Sequence, residues 1–273
     1  MHDTYGLVEV TPWRRHGPVV VAFGCFLLWT GVTWLLEGRI QTLIRPEATL
    51  DRLVYAAVAN VGIGQIGAFA ALGLLVHRTS AGGIRLRRPR LGRRCLALIG
   101  AVALGLGYYL LAGGSRANAV LLTNASAQVF VVSAAEVVVC WGLLGSAAES
   151  WLRTRLGPWT AAAGAAITAS AAFGLYHFAH SPPFNSPGMV AFLALVGLGT
   201  SLFFFVTRDL LATTVFHTFP AVAGVTAVLM QTGEPVSLTL THLQPALLST
   251  AMASLLVVLV GERLALDRRG QPG

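Results

Sequence analysis

Three ionisable side chains lie within apolar segments that have no Lys or Arg close by. Glu136 is in the middle of VVSAAEVVVCWGLL, His177 ends FGLYH, and His217 lies in TTVFHTF. A charged group in hydrocarbon costs about 2.5–3.5 kcal/mol on insertion scales, so it usually has a partner or a function. Imidazoles are suitable partners for a carboxylate, because the two groups together can take a proton from water and return it. The three residues therefore form a candidate acid–base site, which favours an enzyme.

The composition indicates a membrane protein. Of the 273 residues, 55% are hydrophobic and only 11% are charged, whereas soluble domains have about 25% charged residues. The net charge of +8 would suit nucleic acid. However, the Arg residues follow the predicted membrane topology, so we expect membrane lipid and not nucleic acid as the partner. We predict an all-α polytopic transmembrane helix bundle that forms one integral membrane domain over residues 1–273.

Eight apolar segments have about the 20 residues that a bilayer core requires. We predict spans at residues 18–36, 53–77, 95–113, 127–148, 159–180, 188–207, 210–231 and 245–262. The segment 117–126 either extends the fourth helix or lies at the membrane interface.

The placement of Arg predicts the orientation of these spans. The N-terminal arm, the loops after the second, fourth and sixth spans, and the C-terminal tail contain fifteen Arg, and the other four loops contain four. Because cytoplasmic loops carry the excess of basic residues, we expect a multi-pass protein of the cell membrane with both termini in the cytoplasm. The candidate site then lies toward the extracytoplasmic half. The basic loop 84–94 either binds anionic lipid headgroups or only sets the topology.

Metal binding is an alternative use of the same residues. His180 follows His177 by three residues and so shares its helix face. With Glu136 and His217, these histidines offer a set of ligands that suits zinc. Because the sequence lacks an HExxH pattern, we favour a site without a metal or other cofactor and keep metal binding as the alternative. A purely structural interpretation would instead bond Glu136 to Ser133 and His217 to a Thr hydroxyl.

In order and spacing, these residues resemble the CAAX prenyl protease and bacteriocin-processing family, also called the Abi family of intramembrane glutamic proteases. That family has EExxxR on one helix, FxxxH on the next and HxxxN on a later one. The corresponding segments here are 136–141, 173–177 and 217–221, and only the second has the full pattern. The resemblance covers about residues 127–225, which we take as a catalytic-like core.

The resemblance implies a reaction and a role for each residue. Glu136 and His177 would activate a water that attacks a peptide carbonyl, and His217 would stabilise the oxyanion. The substrate would be a membrane-tethered or lipid-modified protein or peptide. Supporting roles would fall to Phe173, His180, Trp141, Thr213 and Thr218.

The sequence departs from the family pattern at two motifs. The second Glu and the Arg of the first motif are Val137 and Trp141 here. In the family these two positions are spaced i, i+4, which suits an ion pair on one helix face. Because both positions are apolar here, neither leaves an unpaired charge. The Asn of the third motif is Ala221, which removes an oxyanion donor worth about 10²–10³ in rate. The candidate substitutes are Thr218, Thr213, Asn185 and backbone N–H groups freed near Pro220.

Two other functions remain compatible with the sequence. A catalytically inactive family member that acts as a membrane scaffold or regulator is favoured by Ala221. A proton-coupled transporter would use Glu136 and the histidines as a relay, although no inverted repeat supports it. For the enzyme, we predict that Glu136, His177 and His217 converge in a polar cavity closed by the fourth, fifth and seventh helices.

Overall fold

The computed structural model describes residues 12–42, 45, 49–78, 84, 86, 88–112, 119–231 and 243–266. Within these ranges the chain forms helices and no β-strand, which confirms the predicted all-α polytopic bundle. The long helices are α1 (Pro12–Thr33, continued by π-helical Trp34–Gly38), α2 (Thr49–Val54, π-helical Tyr55–Gly67 and Ala68–Arg78), α3 (Leu91–Leu111), α4 (Ala119–Glu136, π-helical Val137–Gly145 and Ser146–Leu152), α5 (Pro158–Tyr176), α6 (Pro187–Thr207), α7 (Leu210–Gln231) and α8 (Pro245–Leu266).

Seven of the helices in the described part of the chain are long and apolar enough to cross a membrane, so this is a multi-pass membrane protein. The remaining one is α5, which corresponds to the predicted span 159–180. It has 19 residues, and at 1.5 Å per residue its length fits a hydrocarbon core of about 30 Å. Its sequence is rich in Ala, Gly, Ser and Thr because it packs closely against its neighbours.

The central helix of the bundle is α4. It begins at Ala119, eight residues before the predicted span, so residues 119–126 extend the helix. Most of its apolar stretch is buried within the protein, whereas most of the corresponding stretch of α3 and of α8 is not. A charged residue on α4 therefore faces other helices and not lipid, which is the environment that an intramembrane carboxylate needs.

Small residues let α5 and α6 approach each other closely. A Cβ atom on Gly174 would lie 2.8 Å from the Val190 carbonyl oxygen, and one on Gly197 would lie 3.1 Å from Ser170 Cα. Without side chains at these positions, the helix backbones can pack together in the membrane. The contact fixes the end of α5, and with it the position of His177.

At one end of the bundle, which we call the basic end, Arg94 and Arg208 form ion pairs with buried carboxylates. Arg94 Nε donates to Asp209 at 3.1 Å, and the same guanidinium pairs with Glu262. Arg208 donates to Glu149 at 2.8 Å. These contacts join the start of α3, the ends of α4 and α8, and the short connection between α6 and α7. The side of the membrane that this end faces stays a prediction.

Candidate active site

The structure brings Glu136, His177 and His217 together from α4, the end of α5 and α7. Glu136 Oε2 is 3.1 Å from His217 Nε2, and Glu136 Oε1 is 3.8 Å from His177 Nε2. All three side chains are buried, with exposed fractions of 4%, 8% and 1% for Glu136, His177 and His217. Glu136 lies thirteen residues before Glu149 on α4, which is roughly 20 Å from the basic end along the helix.

Two hydrogen bonds determine which nitrogen of His217 carries the proton. The Glu136 carboxylate can only accept, so His217 Nε2 donates to it. The other nitrogen, Nδ1, lies 2.8 Å from Thr200 Oγ1 and accepts from that hydroxyl when the ring is neutral. Thr200, His217 and Glu136 therefore form a chain that holds the carboxylate in one orientation. Of the structural alternative, the bond between His217 and a Thr hydroxyl is present, and the Glu136–Ser133 bond is not.

His177 is oriented by the backbone of its own helix. Its Nδ1 donates to the Phe173 carbonyl oxygen at 2.8 Å, so Nε2 is the free acceptor of the neutral ring. That nitrogen faces Glu136 Oε1, but 3.8 Å is too long for a direct hydrogen bond. The FxxxH spacing thus has a local explanation, because the carbonyl of residue i−4 holds the imidazole of residue i.

Glu37 is a further ionisable residue of the site, and it was not among the residues predicted from the sequence. It lies in the π-helical end of α1 and is only 2% exposed. Its carboxylate accepts from the Ser181 backbone N–H at 2.9 Å and from the Ser181 hydroxyl, and it lies 3.2 Å from His180 Nδ1. Glu37 thereby fixes the turn after α5 and places His180 beside His177, with ring centroids 5.1 Å apart. In the sequence, Glu37 lies two residues before Arg39, so it resembles an ordinary charged residue at the end of a membrane span.

The residues predicted to support the site divide into two groups. Phe173 lines the cavity. Trp141 packs against His217, with ring centroids 5.4 Å apart, and its indole N–H donates to the Ser201 hydroxyl. Trp141 thus replaces the charged family residue with buried apolar packing. Thr213 and Thr218 do not reach the site, because they donate to the carbonyls of Asp209 and Thr214 on their own helix.

The three predicted residues open onto a cavity of about 330 Å³. Our prediction that the fourth, fifth and seventh helices close it is incomplete, since side chains from α1, α2, α3 and α6 also form its walls. Most of the lining is apolar, including Phe192 and Val196 of α6, so the prediction of a polar cavity is wrong. Two polar residues on α4 that face it, Gln128 and Ser133, have an oxygen with no hydrogen-bond partner in the described structure. Such groups are available to a bound molecule.

The fold and site together define a helical membrane protein with a buried carboxylate–imidazole centre at one cavity. Residues 118–222 match the family model described as type II CAAX prenyl endopeptidase Rce1-like. The resemblance to the CAAX prenyl protease family is thus confirmed, and the matched segment contains all three predicted site residues. No curated protein and no solved structure matches the chain. The family match supports a CAAX-type intramembrane protease as the general class.

Proposed function

We propose that the protein is an intramembrane endopeptidase that cleaves a membrane-tethered or lipid-modified protein or peptide. The observation that carries the proposal is the buried pair of Glu136 and His177, whose facing atoms are 3.8 Å apart at the wall of the cavity. A water molecule beside the pair can donate to Glu136 Oε1 and to His177 Nε2. Both groups are acceptors there, which is what deprotonation of that water requires.

The hydrogen bonds around the pair suggest how the proton moves. Glu136 Oε2 is engaged by His217, so Oε1 is the oxygen available to the water. After attack, the proton taken by Glu136 or His177 passes to the leaving amine, and the peptide bond breaks. In this arrangement the main role of His217 is to position Glu136. It would stabilise the oxyanion directly only if its Nε2–H turned from Glu136 to the substrate.

Ser133 is our candidate for the oxyanion donor that Ala221 does not provide. It is one helical turn before Glu136 on α4, lines the cavity, and its buried hydroxyl has no partner among the described residues. A hydroxyl that is already buried and unpaired loses no other bond when it donates to a developing oxyanion. Such donors are worth about 10²–10³ in rate.

The cavity wall indicates an apolar substrate group. The side chains of α6 that line it are Met189, Phe192, Leu193 and Val196, and Phe192 is 54% exposed on the bundle surface. An apolar side chain or lipid group next to the scissile bond would be buried against this wall. Together with the predicted orientation, the distance from the basic end favours a cut in the extracytoplasmic half of the membrane.

The test is cleavage in proteoliposomes that contain the full-length protein. The probes are a fluorogenic peptide with a prenylated cysteine near its C-terminus and a fluorogenic single-span peptide. Glu136→Gln keeps the shape of the side chain but removes the base, so cleavage should fall by at least about 10²-fold. The matched control is Glu149→Gln on the same helix, which weakens the pair with Arg208 but should leave the rate per folded molecule unchanged. Equal rates for wild type and Glu136→Gln would refute the proposal.

One observation favours a second function, that of a non-catalytic scaffold or regulator. Ala221 lines the cavity at the position of the family Asn and offers no donor. For a scaffold, Glu136→Gln would retain the full biological activity in cells, because binding depends on shape and not on the base. An endopeptidase would lose that activity while its expression level stayed the same.

A further inference from the structure

We propose that Gln128 binds the backbone of an extended peptide substrate, about two to four residues from the bond that is cut. This contact deepens the proposed function and rests on it, since the peptide lies in the same cavity. Gln128 lies eight residues before Glu136 on α4 and belongs to none of the three sequence motifs.

The cavity extends from Glu136 along three helices, away from the basic end. The lining residues run from Glu136 back to Gln128 on α4, from Val196 back to Met189 on α6, and from His217 on to Ala227 on α7. All three stretches lead away from the basic end, because Glu149 lies near the end of α4 and Arg208 and Asp209 connect α6 to α7. A peptide bound at Glu136 therefore has about two helical turns of wall, or about 12 Å, along which it can extend.

Beyond the site residues this wall is almost entirely apolar. Among the described lining residues there, α6 contributes only Met, Phe, Leu and Val, and α7 only Pro, Ala, Gly and Val. On α4, Val129 and Val132 lie between Gln128 and Ser133 or beside them. Each residue of a peptide brings a backbone C=O and usually an N–H, which apolar side chains and lipid cannot satisfy. An extended segment in this cavity therefore depends on the few polar groups that the wall offers.

Gln128 offers groups that match a peptide backbone. Its Oε1 atom is buried and has no hydrogen-bond partner within the described ranges of the chain. A carboxamide has an acceptor oxygen and an NH₂ donor, so it can accept from a backbone N–H and donate to a backbone C=O of one extended segment. A buried acceptor without a partner costs free energy, and a substrate N–H would remove that cost. Because the contact is to the backbone, it positions the peptide without selecting a side chain.

The distance from Gln128 to the catalytic centre sets which bond is cut. Ser133 and Glu136, which we place at the scissile carbonyl, follow Gln128 by five and eight residues. These spacings correspond to about 7.5 Å and 12 Å along α4. An extended peptide advances about 3.3 Å per residue, so the contact falls about two to four residues from the scissile bond. A peptide held at both points has a single register relative to the attacking water.

The experiment measures peptide binding without cleavage. Full-length protein carrying Glu136→Gln, in detergent micelles, is titrated with the more tightly bound of the two probe peptides of the cleavage assay, and binding is followed by fluorescence anisotropy. In a series of such peptides, one backbone amide at a time is replaced by an ester, which removes one N–H and keeps the side chains. A site that hydrogen-bonds a group rejects the analogue that lacks it. One ester position within the cavity should therefore weaken binding about 3–10-fold.

Gln128→Met, added to Glu136→Gln, assigns that position to Gln128. Met keeps the length of the side chain and removes both polar groups, so the sensitive position should lose its ester effect while the other positions keep theirs. The matched control is Gln65→Met, because Gln65 donates to Ser254 and to the Val131 carbonyl and is not among the residues that line the cavity. This control should lower stability and keep the ester effect. Thermal unfolding verifies that each variant remains folded.

Mapping the bond that wild type cuts in the same peptide gives the register. The sensitive N–H should lie about two to four residues from that bond. The inference would be overturned by no peptide binding, by identical ester effects with and without Gln128→Met, or by a sensitive position outside that range. A Gln128-dependent position in a peptide that wild type does not cut would refute the proposed function alone. Cleavage without any Gln128-dependent position would refute this contact alone.

Discussion

Replacing Ser133 with Ala should lower activity without lowering stability. In the resting structure the Ser133 hydroxyl is buried and has no partner among the described residues. An unsatisfied buried hydroxyl costs about 1–3 kcal/mol. Because this one faces a cavity that water can enter, we expect the lower end of that range. Ser133→Ala should therefore increase the free energy of unfolding by about 1 kcal/mol or leave it unchanged.

The rate should change in the opposite direction. If the hydroxyl donates to the oxyanion, its loss removes an interaction that exists only in the transition state. The expected fall in kcat is about 10²–10³-fold, which corresponds to about 2.7–4 kcal/mol, with little change in KM. A structural role for Ser133 would instead lower stability and leave kcat per folded molecule unchanged.

Ser201 provides the matched control for Ser133→Ala. Its hydroxyl accepts from Trp141 Nε1 at 2.7 Å and lies 2.8 Å from the Ser170 hydroxyl. Ser201→Ala leaves the buried indole N–H without its acceptor, so stability should fall by about 1–3 kcal/mol. Since Ser201 is not part of the cavity wall, kcat per folded molecule should stay near that of wild type.

Both properties are measured on the same preparations. Unfolding is followed by heat or denaturant in detergent, and cleavage is followed with the probe that wild type cuts in proteoliposomes. An unchanged kcat in Ser133→Ala would refute the role of this hydroxyl as oxyanion donor. A clear loss of stability in Ser133→Ala would refute the view that the hydroxyl is unpaired.

Further predictions concern the catalytic pair and the topology. His177→Ala should abolish cleavage as Glu136→Gln does, measured as kcat/KM, because the water is held by both groups; a variant with more than about a tenth of the wild-type rate would contradict this. His217→Ala should retain a residual rate, since this residue contributes a few kcal/mol and not the whole barrier. Cysteines at Pro183 and at Arg88, introduced with the exposed Cys95 replaced by Ser, should react with an impermeant reagent from opposite sides of the membrane. Labelling of both from one side would contradict the predicted orientation.

The sequence alone determined the class of fold and the principal candidates for the site. Span length and apolar composition are local properties, because each helix satisfies its own backbone hydrogen bonds in lipid. The cost of a carboxylate in hydrocarbon identified Glu136 without any knowledge of its neighbours. The FxxxH spacing is also local, since Phe173 holds His177 through one turn of the same helix.

Only the tertiary structure decided which other groups join these residues and which way they point. Glu37 reaches the turn after α5 across 144 positions of the chain, and Ser133 and Gln128 face the cavity because packing directs that face of α4 inward. The same packing turned the hydroxyls of Thr213 and Thr218 to their own helix backbone. The spacing of residues along the sequence shows which side chains share one face of a helix. The face that meets the site depends on how the helices pack against one another, as at the close contact between α5 and α6.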